Sequence, residues 1–297
     1  MKIPVILDTD IGSDIDDTWA LAVLLKSPEV DLKLVVTATG DTTYRARIAA
    51  KLLEAAGRAD VPVGLGLPLE SDGTTNEKPQ AAWVEGYDLH KYPGRVVEDG
   101  VQALIETIMA SAELVTLVCI GPLPNIAEAL RREPRIAGKA RFVGMHGSVF
   151  KGYDGAPTPQ PEYNVVKYPE ACRQVFEAPW EMTITPVDTC GLVRLKAEKY
   201  AAVCRNADPL TQAVIDNYRL WRTALKQPLP ETESSVLFDT VAAYLSFSED
   251  LLKMRTLGLS VTSDGFTRPD EAAKPIRCAL DWVDLTAFED WLVHRLT

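Results

Sequence analysis

Ile3-Pro-Val-Ile-Leu-Asp8-Thr-Asp10-Ile-Gly12-Ser-Asp14-Ile-Asp16-Asp17-Thr-Trp-Ala-Leu-Ala-Val-Leu-Leu25 is the stretch that decides the fold. Ile3–Leu7 is a short apolar run, the length of a buried strand. Asp16–Lys26 follows almost at once and is long and apolar enough for a helix. Between them, five carboxylates fall within ten residues. Like charges packed this tightly repel, and withdrawing them from water costs more still. Asp14 is a natural N-cap, and Asp16 and Asp17 fall in the first helical turn. Capping accounts for one or two acids, not for five that include a strand-end pair, Asp8 and Asp10. A hard divalent cation with oxygen ligands would relieve both costs.

Working outward, the same strand-then-helix pattern repeats. Leu32–Thr37, Val61–Leu65, Val115–Ile120, Arg141–Met145 and Met182–Pro186 read as strands. Tyr44–Ala56, Val101–Ala112, Pro124–Arg131 and Pro169–Phe176 read as helices, and helices dominate from Ala197 onward (Ala197–Arg205, Pro209–Lys226, Val236–Phe247), before a tail of strands and one helix. The pattern predicts an α/β fold: a mainly parallel central sheet with helices on both faces and a helical C-terminal part, in one domain spanning residues 1–297. In such sheets ligands bind outside the carboxyl ends of the strands. The acidic cluster, Thr39-Gly-Asp41, Ile120-Gly-Pro122 and Met145-His-Gly147 should therefore share one rim. Gly66 to Gly100 lacks periodicity and reads as a surface excursion able to act as a lid. Phe150 to Pro161 reads as a loop.

Composition narrows the function. A net charge of −11 with no basic patch argues against nucleic acid and anionic membranes as partners. The five cysteines are scattered and form no CxxC pair, which points to reduced thiols in a cytoplasmic protein rather than disulfides or zinc. No apolar stretch nears the roughly 20 residues that span a bilayer. A DxD after the first strand also occurs in HAD-type phosphatases. That plan needs Thr or Val where Gly12 stands, and further acids would repel a phosphate.

Asp8-Thr-Asp10-Ile-Gly12-Ser-Asp-Ile-Asp16-Asp17, with Ala20-Leu21, resembles the N-terminal signature of the inosine/uridine-preferring nucleoside hydrolases, in a variant with two extra residues before the final Asp pair. Val115-Thr-Leu-Val-Cys-Ile-Gly121-Pro-Leu-Pro-Asn125, Met145-His-Gly147 with Thr158-Pro-Gln-Pro-Glu162-Tyr-Asn164, and Leu237-Phe-Asp239-Thr-Val-Ala-Ala-Tyr244 resemble three further family segments, in order. The resemblance runs from residue 3 to about residue 247. It implies hydrolysis of the N-glycosidic bond of ribonucleosides to ribose and free base, a role in purine and pyrimidine salvage, and a homodimer or tetramer. It also implies Ca2+ held by Asp10, Asp17, Asp239 and the carbonyl of Pro124, with Asp10 the general base toward a metal-bound water. Asp16 and Asn164 would hold ribose hydroxyls, and Glu162 the 5′-hydroxyl. Met145 at its strand end would touch the sugar.

The chain departs from the pattern at three places. Asp41 stands where the family often has Asn, and would still accept from a sugar hydroxyl. Ala156 replaces an Asn that helps hold the 5′-hydroxyl, which leaves 5′-modified ribosides open as substrates. Phe238 replaces a His that protonates the departing base in some members, which leaves a non-catalytic ribose or nucleoside sensor open. His146 is then the best replacement acid; its structural alternative is a bond to loop backbone. His90 could reach in from a closing lid, while His294 reads as structural or solvated. Phe238, Trp83, Tyr218 and Trp221 are the aromatic candidates for stacking on a base.

Overall fold

The computed structural model describes residues 2–69, 78–228 and 232–297. Residues 70–77 of the expected lid lie outside them. The described residues form ten strands: β1 (Ile3–Thr9), β2 (Val30–Thr37), β3 (Val63–Leu65), β4 (Val96–Val97), β5 (Val115–Cys119), β6 (Ala140–Met145), β7 (Met182–Thr185), β8 (Leu252–Val261), β9 (Thr267–Pro269) and β10 (Pro275–Trp282). They form one sheet in the order β4-β3-β2-β1-β5-β6-β7-β10-β8-β9. Every pairing from β4 to β10 is parallel; β8 runs antiparallel to β10, and β9 to β8.

Strand residues alternate between two cores, as a pleat requires. Val5 and Leu7 face one apolar core with Val35, Val118 and Val143. Ile6 faces the other, with Leu34, Val36, Leu117 and Phe142. On the first face lie α1 (Asp16–Lys26), α2 (Thr42–Ala55), α8 (Ala197–Arg205), α9 (Pro209–Ala224), α10 (Asp239–Leu245) and α11 (Leu285–Leu296). On the second lie α3 (Gly100–Ala110), α4 (Pro124–Arg132) and α6 (Pro169–Glu177). The short helices α5 (Tyr163–Val166) and α7 (Val187–Cys190) follow the loops beyond β6 and β7. Helix α1 is buried all round from Asp16 to Leu24, packed against α10, which explains why its sequence lacks a polar stripe.

The chain winds from β1 outward to β4, then returns to β5 and winds the other way. The switch point lies between β1 and β5, where an open α/β sheet leaves its ligand crevice. The turns after these strands are tied together: the Ile120 amide donates to the Asp8 carbonyl at 2.9 Å. A Cβ on Gly121 would sit 2.8 Å from the Asp10 amide nitrogen and from its carboxylate, so only glycine lets the two turns come this close.

The parallel sheet with helices on both faces is as expected. The excursion before Gly100 contains short 3-10 turns at Ala81–Val84 and Leu89–Lys91 and the edge strand β4. Its exposed backbone and lack of apolar alternation hide these elements from pattern reading. Helix α10 begins at Asp239 rather than Val236. The N-cap position of α1 is Ile15, not Asp14; the Asp14 carboxylate accepts from the Ile15 amide at 2.7 Å. Among the described residues, no helix is long and apolar enough to cross a membrane.

Candidate active site

A cavity of about 530 Å³ opens at the switch point, and four acids meet on its wall. Asp10 comes from the turn after β1, Asp16 and Asp17 from the first turn of α1, and Asp239 from the first turn of α10. All four are at least 95% buried. Carboxylate oxygens of Asp16, Asp17 and Asp239 lie within 4.8 Å of one another. Each acid is held. The Thr9 hydroxyl donates to Asp17, and the Asp239 amide donates to Asp16 at 3.3 Å. Burial first, and then the charge of a neighbouring carboxylate (Asp14 for Asp16, Asp10 for Asp17, Asp16 for Asp239), pushes the carboxyls of Asp16, Asp17 and Asp239 well above their ordinary range. Burial raises Asp10 too, opposed by the Arg45 guanidinium. Four crowded, buried carboxyls are a hard oxygen donor set that suits a divalent cation, which would offset their charge more fully than the Arg45 guanidinium near Asp10 and Asp17 does.

The rest of the lining includes a firmly bonded segment after β6. Glu162 caps α5: its carboxylate accepts from the Gly147 amide at 3.0 Å and from the Asn164 amide at 2.8 Å. Gly147 takes φ +89°, a backbone state suited to glycine. Burial lifts Glu162 to about 7 despite those amides, which puts its protonation near neutrality. The Asn164 amide donates to the carbonyls of Ile120 and Met145, both at 3.0 Å, so it ties the β5 and β6 turns together. Met145 faces the cavity beside it. At the outer end stand Tyr153, Trp221, Leu225 and Phe238, with Tyr153 and Phe238 edge to face at 5.9 Å.

Residues 5–290 match the family model described as inosine-uridine preferring nucleoside hydrolase. The chain belongs to this family. A relative described as non-specific ribonucleoside hydrolase RihC, from Klebsiella pneumoniae, is 33% identical over 231 residues, covering 74% of this chain and 73% of the relative. One described as probable uridine nucleosidase 2, from Arabidopsis thaliana, is 28% identical over 295 residues, covering 94% and 89%. In fold, the chain is similar to a solved plant nucleoside hydrolase with a TM-score of 0.80 at 23% identity, covering 100% of this chain and 99% of that one. It is also similar to a purine-preferring ribonucleoside hydrolase from Gardnerella vaginalis, with a TM-score of 0.79 at 22% identity, covering 99% and 98%. Family membership makes the chain a hydrolytic N-glycosidase and sets aside the sensor reading.

Of the residues singled out from the sequence of this hydrolase, Asp10, Asp16, Asp17, Met145, Glu162, Asn164, Trp221, Phe238 and Asp239 line the one cavity. Others do not. His146 is fully buried behind the rim, among Phe142 and Phe176, and its Nε2 lies 3.1 Å from the Gly121 carbonyl. Burial drops it to about 3, so in this position the imidazole is neutral and carries no extra proton toward the cavity. Asp41 lines a separate cavity, caps α2 through the Tyr44 amide and pairs with Lys78 at 2.5 Å, so the structure does not bring it to the acidic cavity. Asp8 lies beneath the rim, bonded by the Asn125 amide at 2.8 Å. Pro124 is buried at the start of α4 and does not line the cavity. Trp83 and Tyr218 are core residues, and His90 and His294 are exposed away from the site.

Sequence reasoning passed over two groups. Tyr153, at the start of the 3-10 turn Tyr153–Gly155, lines the cavity beside Phe238. Arg45, in the first turns of α2, lies 98% buried under the acidic turn. An arginine beside the charged Arg47 reads as a solvated helix face; its burial follows from the β2–β1 neighbourhood, which no local pattern carries.

Proposed function

We propose that the chain hydrolyses the N-glycosidic bond of ribonucleosides to ribose and free base, with a calcium ion at the acidic end of the cavity. The observation that carries this reading is the convergence of buried carboxylates from the two ends of the chain, Asp16 and Asp17 with Asp239, beside Asp10. Asp10, Asp17 and Asp239 would hold the ion with Asp16 at its edge, and the family resemblance adds the carbonyl of Pro124, a residue outside the cavity lining, as the main-chain donor. Bound there, the cation would orient the sugar diol and acidify the attacking water.

The remaining chemistry belongs to the chain. N-glycosidic cleavage passes through an oxocarbenium-like state, whose positive charge a carboxylate floor stabilises without reorganising. Asp10 accepts the proton of the attacking water. Asp16 accepts from a ribose hydroxyl. The Asn164 amide protons are committed to two carbonyls, so its Oδ1 is the atom that meets the ribose. Glu162, poised near neutrality, takes the 5′-hydroxyl, and Met145 packs on the sugar. The base lies against Phe238, Tyr153 and Trp221. No histidine among the described residues lines the cavity, so the departing base takes its proton from another source than imidazole.

Cytoplasmic salvage and a homodimer or tetramer complete the proposal; buried, unpaired thiols at Cys119, Cys172, Cys190 and Cys278 agree with a reducing compartment. A panel of purine and pyrimidine ribonucleosides, assayed for free ribose with calcium and then with chelator, tests it. Ribose from at least one member, lost on chelation, is expected. No ribose from any member sinks the substrate assignment, and undiminished release under chelation sinks the metal.

A further inference from the structure

The first turns of α2 reach under the acidic turn with two consecutive side chains. The Tyr44 hydroxyl donates to the Gly12 carbonyl at 3.0 Å. Gly12 takes φ +114°, and a Cβ there would lie 2.8 Å from the tyrosine ring. Arg45 goes further. Its Nε donates to the Thr39 carbonyl at 2.8 Å, and Nη1 donates to the carbonyls of Asp10 and, at 3.0 Å, Ile11. Nη2 donates to Ser13 Oγ at 3.0 Å. Every bond of this buried fork ends on the turn after β1 or the turn after β2. A planar guanidinium fixes several acceptors at once, which an ammonium cannot do.

We infer that Arg45 is a positioning residue: its fork locks the backbone of Asp10–Ser13 in the conformation that lets Asp10 and the α1 acids share one cation. The inference rests on the metal-dependent reading above. It differs from a role in stability alone, because its effect should appear in the folded, metal-free turn and in metal affinity.

The test uses the full chain as wild type, Arg45→Lys and Arg45→Met, stripped of metal. Calorimetric titration with Ca2+ should show affinity falling about 10- to 100-fold in both variants, the range for residues that orient metal ligands. Arg45→Lys keeps the charge but not the fork, so it should recover little. Hydrogen exchange in the metal-free protein should rise at residues 10–13 and stay unchanged in β6 and α11. A purely structural arginine would lower the melting temperature and leave both readouts of the folded protein alone; that result overturns the inference. Where Arg45→Met does not fold, Arg45→Lys decides. Ser13→Ala removes one partner of the fork without opening the core, and should weaken calcium two- to fivefold; no shift there also overturns the inference. Wild-type protein that neither binds calcium nor releases ribose would instead defeat the functional reading.

Discussion

The acidic end of the cavity and its aromatic end are built differently. Asp10, Asp16, Asp17 and Asp239 stand on the first turns of buried helices or just past the end of a central strand, and a buried arginine bonds the backbone of the turn that carries Asp10. Tyr153, Leu225 and Phe238 stand in loops or at helix ends and keep part of their surface in water. The first arrangement suits chemistry, where a small displacement of a charge is costly. The second suits a leaving group of variable shape, since rings offer area with little directional demand. Substitutions at the acidic end should thus change kcat for every substrate, and those at the aromatic end should re-rank substrates.

The largest break is expected from Asp10→Asn, which keeps the shape and removes the proton acceptor. Activity kcat/KM should fall by about 10²–10⁴ with circular dichroism unchanged. A drop confined to one nucleoside would contradict the division between the two ends. Next comes Asn164→Ala, which strands the carbonyls of Ile120 and Met145 and would also remove the proposed ribose contact. Stability should fall by about 1–3 kcal/mol in urea unfolding, with a lower kcat/KM for all substrates. Smaller again is Phe238→Ala. Edge-to-face contact and ring burial at a half-exposed site are worth about 1 kcal/mol, so kcat/KM should change about fivefold, to a different degree for each base. Equal loss across a nucleoside panel would mean that the ring supports the fold rather than the base.

The same contrast governs what could be read before the structure was known. Five acids between an apolar strand and an apolar helix announce a charge problem whose solutions are few, and the alternation of strands and helices places that problem on a rim. Asp239 enters only through the likeness of its segment to a family, because nothing local distinguishes it from an ordinary helix-capping acid. Arg45 was illegible because its burial depends on which strands become neighbours. His146 and Asp41 lie off the cavity lining for one reason: both follow strands on the correct rim, and the strand ends alone do not say which side chains turn inward. His146 turns back between two rings, and Asp41 spends its carboxylate on a helix cap and a lysine. The antiparallel pair β8–β10 lies far along the edge, where alternation is diluted by exposed residues.

The smallest effect on activity is expected at His146, and it separates the rim's chemistry from its scaffold. The imidazole is held neutral, down at about 3, by burial, while in the unfolded chain it titrates near 6.5. Between those values the unfolded state binds the extra proton, so folding stability falls as pH drops through this window and is fully present above it. From pH 6.5 to pH 4 the penalty is two and a half pH units at about 1.4 kcal/mol each, or about 3 kcal/mol. His146→Gln cannot titrate, and its amide can still donate to the Gly121 carbonyl. Its unfolding free energy should therefore lose about 3 kcal/mol less than wild type between pH 7 and pH 4, while kcat/KM at pH 7 stays within about twofold. The ratio of the two changes is what discriminates. A large loss of kcat at pH 7 with unchanged acid stability would restore His146 as the acid for the departing base, and would mean that the ring swings from its pocket into the cavity during turnover.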